Sequence, residues 1–220
     1  MKNCKAIIFD AYGTLFDVNS AAKKCKDKIG NKWEFFSKYW RTTQLEYTWL
    51  RSLMGKHKNF WQITEDSLDK SMKVFNIDLV MRNELLELYK VLSTFPEVEQ
   101  TLIKLKKTDY KLAILSNGTP NLLEDLVKNS KLENIFDNLF SVEDVKTFKP
   151  AFKVYDIPVE YYQINKSEII FLSANTWDVS GAGNYGFNSI WVNRDNNVFD
   201  NLDFKPKFEI NNLTDLLDLI

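Results

Sequence analysis

An unbroken apolar segment that ends in an aspartate, close to the start of the chain, limits the possible folds more than any other feature. Residues 5–9 do not alternate between polar and apolar after the first position, which predicts a short strand buried on both faces, as in a parallel sheet. Asp10 follows at the end of this strand, and Gly13 allows a tight turn after it. Ligands bind at the carboxyl ends of strands in open α/β sheets, so Asp10 is a candidate nucleophile. The alternative is that Asp10 only accepts hydrogen bonds from turn amides.

Length and composition favour one α/β domain, or a core with a smaller inserted domain, and exclude several functions. The 220 residues are 45% hydrophobic and 14% aromatic, which supplies a core and leaves aromatic side chains for a pocket. The net charge of −1 argues against a nucleic-acid surface, which needs a basic face. No apolar run approaches the length of a membrane span and no signal peptide precedes the first strand, so we expect a cytoplasmic protein without membrane contact.

The cysteines, the histidine and the arginines limit the chemistry further. Cys4 and Cys25 follow no metal or disulfide pattern, so we expect free thiols. His57 is the only histidine, which argues against histidine metal sites and Ser-His arrangements, and we predict a solvated loop position for it. Only four of the 29 basic residues are arginines, so an arginine on a partly apolar helix face attracts attention. The four are Arg41, Arg51, Arg82 and Arg194.

Hydrophobic periodicity predicts a helical segment followed by alternating strands and helices. Apolar residues recur at helical spacing in residues 20–29, 33–54, 60–75 and 79–92, and we interpret the aromatic stripe of the second stretch as core packing. After Pro96, strands are predicted at 111–115, 138–142, 168–172, 188–192 and 208–210, with helices between them, at 98–107 before them and at 213–220 after them. This alternation is typical of a parallel sheet with right-handed crossovers. We therefore predict an α/β core domain of residues 1–17 and 96–220 and an all-helical domain of residues 18–95 inserted after the first strand.

Polar side chains follow several of the predicted strands at the same edge of the sheet. They are Asp10, Ser116, Asn117, Ser173, Asn175 and Asp178, with Lys149 at a predicted helix start between them. Each has a structural alternative: Ser116 and Asn117 as turn formers, Lys149 as a solvated helix start, and Asp178 as an acidic residue at a helix N-terminus. Their convergence on one face favours a functional site.

These segments resemble a known family. Asp10-Ala-Tyr-Gly-Thr-Leu, Leu115-Ser-Asn-Gly, Phe148-Lys-Pro and the loop from Ser173 to Asp178 are similar to the four ordered motifs of the haloacid dehalogenase superfamily. Residues 39–55 and the pair Phe60-Trp look like the cap of the L-2-haloacid dehalogenases. The resemblance, which extends from about residue 7 to residue 192, implies a Rossmann-like, haloacid dehalogenase-like core with a helical cap.

The resemblance also implies an activity. It is the hydrolysis of (S)-2-haloalkanoic acids to (R)-2-hydroxy acids and halide, through an aspartyl ester on Asp10, with inversion at C2, no metal and no cofactor. The implied partner is the small haloacid, and a homodimer is expected from the family. The implied catalytic residues are Asp10, Thr14, Arg41, Ser116, Asn117, Lys149, Tyr155, Ser173, Asn175 and Asp178. The implied substrate-binding residues are Ala11, Tyr12, Arg41, Leu45, Phe60, Ser116, Asn117, Lys149, Asn175 and Trp177.

One departure from the larger superfamily bears on the substrate. Its magnesium-dependent phosphatases carry a second aspartate two residues after the nucleophile, where this chain has Tyr12. Phosphoryl transfer relies on metal charge, so a metal-free site for a small anion is favoured. A magnesium-dependent small-molecule phosphatase and a non-catalytic ligand-binding relative are the alternatives.

A second glycine pattern in the chain favours structure over cofactor binding. Gly181-Ala-Gly-Asn-Tyr-Gly186 matches the dinucleotide-binding spacing, but the preceding strand is predicted to end near Leu172. That motif must open directly from a strand to place a pyrophosphate at a helix N-terminus. We therefore expect these small residues to pack a helix on the sheet, and we expect no nicotinamide cofactor.

Overall fold

A six-stranded parallel sheet forms the centre of the molecule in a computed structural model that describes residues 3–220. The strand order is β3-β2-β1-β4-β5-β6, so the first strand lies inside the sheet with a neighbour on each side. All residues of β1 are fully buried, as its unbroken apolar sequence predicts. The strands are β1 (Ala6–Phe9), β2 (Lys111–Ser116), β3 (Asn138–Ser141), β4 (Ile169–Ser173), β5 (Asn188–Val192) and β6 (Phe208–Ile210). The predicted α/β fold class is confirmed.

Nine α-helices surround or extend the sheet within residues 3–220. They are α1 (Ser20–Lys24), α2 (Lys26–Ile29), α3 (Trp33–Leu53), α4 (Phe60–Phe75), α5 (Arg82–Lys90), α6 (Val98–Leu105), α7 (Pro120–Asn129), α8 (Phe152–Tyr162) and α9 (Thr176–Tyr185). Helices α1 to α5 lie between β1 and β2, as expected of a helical cap inserted after the first strand. None of the helices in the described part of the chain is long and apolar enough to cross a bilayer.

The two long helices of the inserted segment, α3 and α4, pack on each other, and α4 begins at a sequence-encoded cap. Asn59 and Gln62 form a reciprocal capping box that starts α4, where each side chain bonds the backbone N–H of the other. Helix α4 packs along α3, and the Trp40 indole N–H donates to the Thr64 carbonyl at 3.1 Å. This contact fixes the rotation of α3 at the residue before Arg41.

The chain leaves the core for the helices and returns to it through two adjacent segments. The Asp17 N–H donates to the Ser93 carbonyl at 2.8 Å, and the Phe95 N–H donates to the Leu15 carbonyl at 3.1 Å. These bonds lie beside the predicted boundaries. The division into a core of residues 1–17 and 96–220 and a cap of residues 18–95 stays a prediction, and residues 1 and 2 lie outside the described part of the chain.

Three local expectations are wrong. The aromatic stripe on α3 is buried only in its first half, at Phe36 and Trp40, whereas Leu50 and Met54 are exposed. The predicted helix at 213–220 is a 3-10 helix at Leu213–Asp218, and residues 20–29 form two short helices interrupted at Cys25.

His57 also departs from expectation. Its ring is 20% exposed, stacks on Phe148 with ring centroids 5.2 Å apart, and its Nε2 lies 3.1 Å from a Glu143 carboxylate oxygen. His57 therefore joins the helical segment to the core instead of lying in a solvated loop.

Candidate active site

Strand register brings the predicted site residues to one edge of the sheet. Phe9 pairs with Ile114 on one side and with Leu172 on the other, so Asp10 lies level with the ends of β2 and β4. The Asp10 N–H donates to the Leu172 carbonyl at 2.9 Å, which places the Asp10 side chain directly beside Ser173. The carboxyl ends of three parallel strands therefore meet at this aspartate.

Three side chains orient the Asp10 carboxylate. Its Oδ2 accepts hydrogen bonds from Thr14 Oγ1 at 2.9 Å, Asn175 Nδ2 at 2.8 Å and Ser173 Oγ at 3.3 Å. Asp10 is only 5% exposed. Several donors on one oxygen hold the carboxylate in a single orientation.

Lys149 lies between two carboxylates. Its Nζ is 3.1 Å from Asp10 Oδ1 and 2.9 Å from Asp178 Oδ2, and the residue is completely buried. Burial alone would lower the pKa of Lys149, but the charges of Asp10 and Asp178 outweigh it and raise that pKa. The backbone N–H of Lys149 donates to Asn117 Oδ1 at 3.0 Å, so Asn117 holds the main chain from which the ammonium extends.

Asp178 completes a buried group of two carboxylates and one ammonium. Burial raises the pKa of Asp178 to about 6, and the charge of Asp10 adds to the increase, whereas Lys149 and Tyr155 oppose it. The Tyr155 hydroxyl donates to Asp178 Oδ1 at 2.7 Å. Burial and the charge of Asp178 raise the pKa of Tyr155 well above its ordinary value, so this hydroxyl remains a donor. This contact explains why Tyr155 belongs to the candidate site, which its position in the sequence alone does not indicate.

Arg41 extends from α3 to the loop of residues 10–14, which we call the nucleophile loop. Its Nη2 donates to the Tyr12 carbonyl at 3.2 Å, and the same carbonyl accepts from Asn175 Nδ2 at 3.2 Å. Its Nη1 donates to Gln44 Oε1 at 2.9 Å. Asn175 also donates to Asp10, so one loop carbonyl and one amide connect the Arg41 guanidinium with the Asp10 carboxylate.

Aromatic rings line the site beside Asp10. Tyr12 is 2% exposed, stacks on Tyr89 at 5.7 Å between ring centroids and packs on Phe60 at 5.1 Å. Phe60 in turn contacts Phe148, which precedes Lys149. The Tyr12 hydroxyl is buried without a hydrogen-bond partner within residues 3–220. The apolar wall therefore contains one buried hydroxyl beside Asp10.

The remaining predicted residues lie at different distances from this centre. Trp177 is half-buried and meets the edge of Trp49 from α3, with ring centroids 5.5 Å apart, so it lies where α9 faces the helical segment. Leu45 is half-buried on α3, one turn after Arg41, and Ala11 is fully buried in the nucleophile loop. No described side-chain hydrogen bond or ring contact joins Leu45 or Ala11 to the Asp10 carboxylate.

Two expectations about the loops need correction or qualification. Lys149 does not start a helix, because it lies with Pro150 in a turn and α8 begins only at Phe152. Ser116 is fully buried, and its Oγ accepts the Gly118 N–H at 3.0 Å, which is the turn-forming contact considered as its alternative role. Its hydroxyl hydrogen remains available as a donor.

The dinucleotide-like glycines lie within and just after α9, as the spacing from the preceding strand predicts. A Cβ on Gly181 would lie 2.5 Å from Pro150 Cβ and 2.7 Å from the Tyr155 hydroxyl, and a Cβ on Gly183 would overlap the Phe204 ring. Gly186 ends the helix at φ +116°, a conformation that favours glycine. Gly181 and Gly183 thus pack closely on Pro150, Tyr155 and Phe204, none of which belongs to a strand, so the expected packing of a helix on the sheet is wrong for these two glycines.

Sequence reasoning missed two buried polar residues behind Arg41. Gln44 Nε2 donates to Thr64 Oγ1 at 2.6 Å and to the Tyr89 hydroxyl at 3.0 Å, while its Oε1 accepts from Arg41. Gln44 lies three residues after Arg41 on the same helix, and that spacing is the signal that could have identified it. Tyr89 had no comparable signal, because its contact with Gln44 spans 45 residues.

Comparison with known proteins agrees with this geometry. A family model described as a haloacid dehalogenase-like hydrolase matches residues 4–186. The chain belongs to the haloacid dehalogenase-like hydrolase family.

Relatives of this haloacid dehalogenase-like hydrolase extend over its whole length. The (S)-2-haloacid dehalogenase of Pseudomonas sp. (strain YL) is 40% identical over 221 residues, covering 100% of this chain and 95% of the relative. A dehalogenase of known crystal structure superposes with a TM-score of 0.98 at 37% identity, covering 100% of this chain and 98% of that one. The L-2-haloacid dehalogenase of Xanthobacter autotrophicus with chloropropionic acid covalently bound has a TM-score of 0.91 at 32% identity, covering 98% of both chains.

Proposed function

We propose that this haloacid dehalogenase-like hydrolase converts (S)-2-haloalkanoic acids to (R)-2-hydroxy acids and halide. The observation that carries the proposal is the Asp10 carboxylate, whose Oδ2 accepts three side-chain hydrogen bonds while Lys149 contacts its Oδ1. An oriented, ionised carboxylate is a nucleophile that needs no activating base. Full-length relatives that carry the (S)-2-haloacid dehalogenase name support the substrate class.

The reaction has two steps on Asp10. A carboxylate oxygen attacks C2 of the substrate opposite the halogen, an ester bond forms, and the carbon–halogen bond breaks with its electron pair leaving on the halide. Water then adds to the ester carbonyl carbon, and cleavage of the acyl–oxygen bond frees the 2-hydroxy acid and regenerates Asp10. C2 is inverted once, and one oxygen of Asp10 is replaced by solvent oxygen. Holding the Asp10 carboxylate in line with the carbon–halogen bond contributes most to the rate, since well-oriented groups lower such barriers by roughly 7–11 kcal/mol.

Positive charge and donors relieve the repulsion between the Asp10 carboxylate and the carboxylate of the substrate. Two anions in a dry site repel strongly unless a cation lies between or beside them. Lys149 supplies that charge, with the Ser116 hydroxyl and the backbone amides of Ala11 and Tyr12 as further donors to the substrate carboxylate. This assignment is supported by the burial of Lys149 and its contact with Asp10.

The departing halide needs a separate group of donors and an apolar wall. Arg41 and Asn117 receive the halide in our proposal, and Leu45, Phe60 and Trp177 enclose it. The Arg41 guanidinium contacts the Tyr12 carbonyl, which is next to the nucleophile loop amides. Asn117 uses its Oδ1 for the Lys149 backbone, so its amide nitrogen remains the donor for the ion.

Asp178 keeps Lys149 in place and helps to position the hydrolytic water. Tyr155 holds Asp178, and Thr14, Ser173 and Asn175 hold Asp10 through both steps. Lys149 occupies the space between the two carboxylates, where an ammonium supplies the charge that a metal ion would bring. Tyr12 stands two residues after Asp10, and its buried ring packs on Phe60 and Tyr89. Both observations favour metal-free halide displacement over a magnesium-dependent phosphatase.

The activity is tested by supplying each candidate substrate in turn. The protein is incubated with (S)-2-chloropropanoate in the presence of EDTA, and halide release and the configuration of the product are measured. A parallel incubation contains a generic phosphate ester and Mg²⁺. We expect chloride and (R)-lactate in the first incubation at a rate that EDTA does not change. Phosphate release that requires Mg²⁺, without chloride release, would overturn the proposal.

We further propose that the protein is a cytoplasmic homodimer. Exposed Leu50, Leu53 and Met54 cluster at the end of α3 and form an apolar patch that a second copy could cover. The thiols of Cys4 and Cys25 are free, in keeping with a reducing compartment. Light scattering should give a mass near twice that of the chain, and cell fractionation should recover the protein in the cytoplasmic fraction.

A further inference from the structure

Arg194 is a largely buried arginine for which the mechanism gives no role. It follows β5, its side chain is 14% exposed, and its guanidinium carbon lies 3.9 Å from the centroid of the Phe95 ring. Phe95 belongs to the returning segment that bonds Leu15 beside the nucleophile loop. Arg194 therefore lies where the nucleophile loop meets the chain that comes back from the helices.

The guanidinium of Arg194 donates hydrogen bonds to a carboxylate on one side and to the nucleophile loop on the other. Toward the core, Nε and Nη2 donate to Glu97 Oε1 at 2.9 and 2.7 Å. Toward the nucleophile loop, Nη2 donates to the Thr14 carbonyl at 2.9 Å, and Nη1 lies 3.5 Å from the Gly13 carbonyl. A planar fork of donors fixed by a carboxylate holds a backbone segment more rigidly than a lysine could.

The loop that Arg194 holds delivers a donor to the nucleophile. Thr14 Oγ1 donates to Asp10 Oδ2 at 2.9 Å and accepts the Ala174 N–H at 2.8 Å. The backbone of Thr14 is thus bound on its carbonyl side by Arg194 while its hydroxyl orients Asp10. A shift of the Thr14 carbonyl would move this hydroxyl away from the carboxylate.

We propose that Arg194, held by Glu97, is a positioning residue that fixes the Gly13–Thr14 backbone so that Thr14 orients the Asp10 nucleophile. This inference rests on the proposed dehalogenase function. Arg194 touches Thr14 and Gly13 and lies outside the group that binds substrate. Its loss should therefore slow the chemical steps without weakening substrate binding, because small misplacements of a nucleophile reduce rates strongly.

The test compares substitutions of Arg194 with a matched arginine elsewhere. Arg194→Lys keeps the charge and loses the fork, and Arg194→Met keeps only the apolar stem over Phe95. Arg82→Lys is the control, since Arg82 also pairs in a fork, with Asp69 at 2.5 and 3.2 Å, but belongs to the helical segment. We expect kcat for (S)-2-chloropropanoate to fall about tenfold in Arg194→Lys and about a hundredfold in Arg194→Met, with KM changed less than about twofold. Arg82→Lys should keep the wild-type kcat.

Melting temperatures separate positioning from a purely structural role. Two outcomes would contradict the inference. One is a wild-type kcat in Arg194→Lys. The other is an equal loss of kcat in Arg194→Lys and Arg82→Lys when the two variants have the same melting temperature. Glu97→Gln supplies a second variant, and its kcat should fall with KM unchanged if Glu97 anchors the guanidinium. Wild-type protein that releases no halide would instead contradict the proposed function. A crystal structure of Arg194→Met then decides the inference by itself: a Thr14 hydroxyl displaced from Asp10 supports it, and an unchanged 2.9 Å contact refutes it.

Discussion

The Oδ2 atom of Asp10 accepts hydrogen bonds from side chains in two separate segments, which follow two neighbouring strands. Thr14 lies in the loop after β1, whereas Ser173 and Asn175 lie at the end of β4. A carboxylate held in this way has already lost the freedom that a reaction in solution would have to remove. The proposed role of Asp10 therefore requires both its carboxylate group and this fixed orientation.

Replacing Asp10 by asparagine should abolish turnover while leaving the fold intact. Asparagine has nearly the same shape and keeps an oxygen that can accept from Thr14 and Asn175, but its amide is a far weaker nucleophile. We expect halide release by Asp10→Asn to fall by at least about a thousandfold with little change in the circular dichroism spectrum. In wild-type protein, mass spectrometry after several turnovers in oxygen-18 water should find the label in the peptide that contains Asp10. Unlabelled peptide would remove Asp10 from the reaction.

Removing the Tyr155 hydroxyl should move the acid side of the pH–rate profile. The hydrogen bond from Tyr155 lowers the pKa of Asp178 against the effect of burial, which raises it to about 6. Without that bond the pKa of Asp178 rises further, so the ionised form that orients Lys149 is lost at higher pH. We expect the acid limb of kcat in Tyr155→Phe to shift upward by about one pH unit. A profile that coincides with the wild type would show that Asp178 does not control the acid limb.

The strand pattern of this fold could be predicted from the sequence because each strand has its own local signal. The apolar runs at β1, β2 and β4 fixed the strands to within one residue, and the register then placed Asp10 beside Ser173. The motif residues could be found because strand ends and motif spacing coincide. Their individual roles in catalysis stay predictions.

Residues whose roles depend on distant partners could not be predicted. Arg194 contacts Thr14 from 180 positions away, and His57 contacts Glu143 from 86 positions away, so nothing in their local sequence indicates either contact. The exposure of Leu50 and Met54 depends on which elements cover that end of α3, and helical periodicity does not specify this. The same limit explains the 3-10 helix at Leu213–Asp218, because apolar spacing over so few residues fits either kind of helix.

Two glycines on α9 should respond differently to alanine. A Cβ at Gly181 would approach Pro150 and the Tyr155 hydroxyl, which are packed beside Lys149 and Asp178, whereas a Cβ at Gly183 would meet only the ring of Phe204, a half-exposed residue. We expect Gly181→Ala to lower kcat about tenfold or more and to cost about 1–3 kcal/mol of unfolding free energy. Gly183→Ala is the matched control and should keep kcat near the wild-type value, since a terminal ring can move aside.

Equal losses of activity in both alanine variants would indicate that α9 acts as one rigid unit. In that case the contact of Gly181 with the Pro150 and Tyr155 side chains has no special importance. Urea unfolding of both proteins, followed by tryptophan fluorescence, separates the change in stability from the change in kcat.

At the scale of the whole molecule, the site carries more buried charge than folding stability favours. Two carboxylates share one ammonium in a region where Lys149 and Asp178 have no exposure, so one negative charge is not balanced by the lysine. Burying such a group is destabilising unless its hydrogen bonds compensate. Function and stability therefore oppose each other at Asp178.

Asp178→Asn should stabilise the protein above pH 6 while inactivating it. The pKa of Asp178 is raised from 3.8 to about 6 by burial, so the folded state holds a proton that the unfolded state has released between these values. The stabilising contribution of the protonated form is complete below about pH 4 and is lost as pH rises through 6. Asparagine avoids that loss and still accepts from Tyr155, so Asp178→Asn should be more stable than the wild type at pH 8, by a larger margin than at pH 5. Urea unfolding at pH 5 and pH 8 measures the difference. The control is Asp66→Asn, at a half-exposed ion pair, and its effect should be equal at both pH values. An Asp178→Asn protein less stable than the wild type at pH 8 would mean that the Lys149 ion pair outweighs the cost of burying the carboxylate.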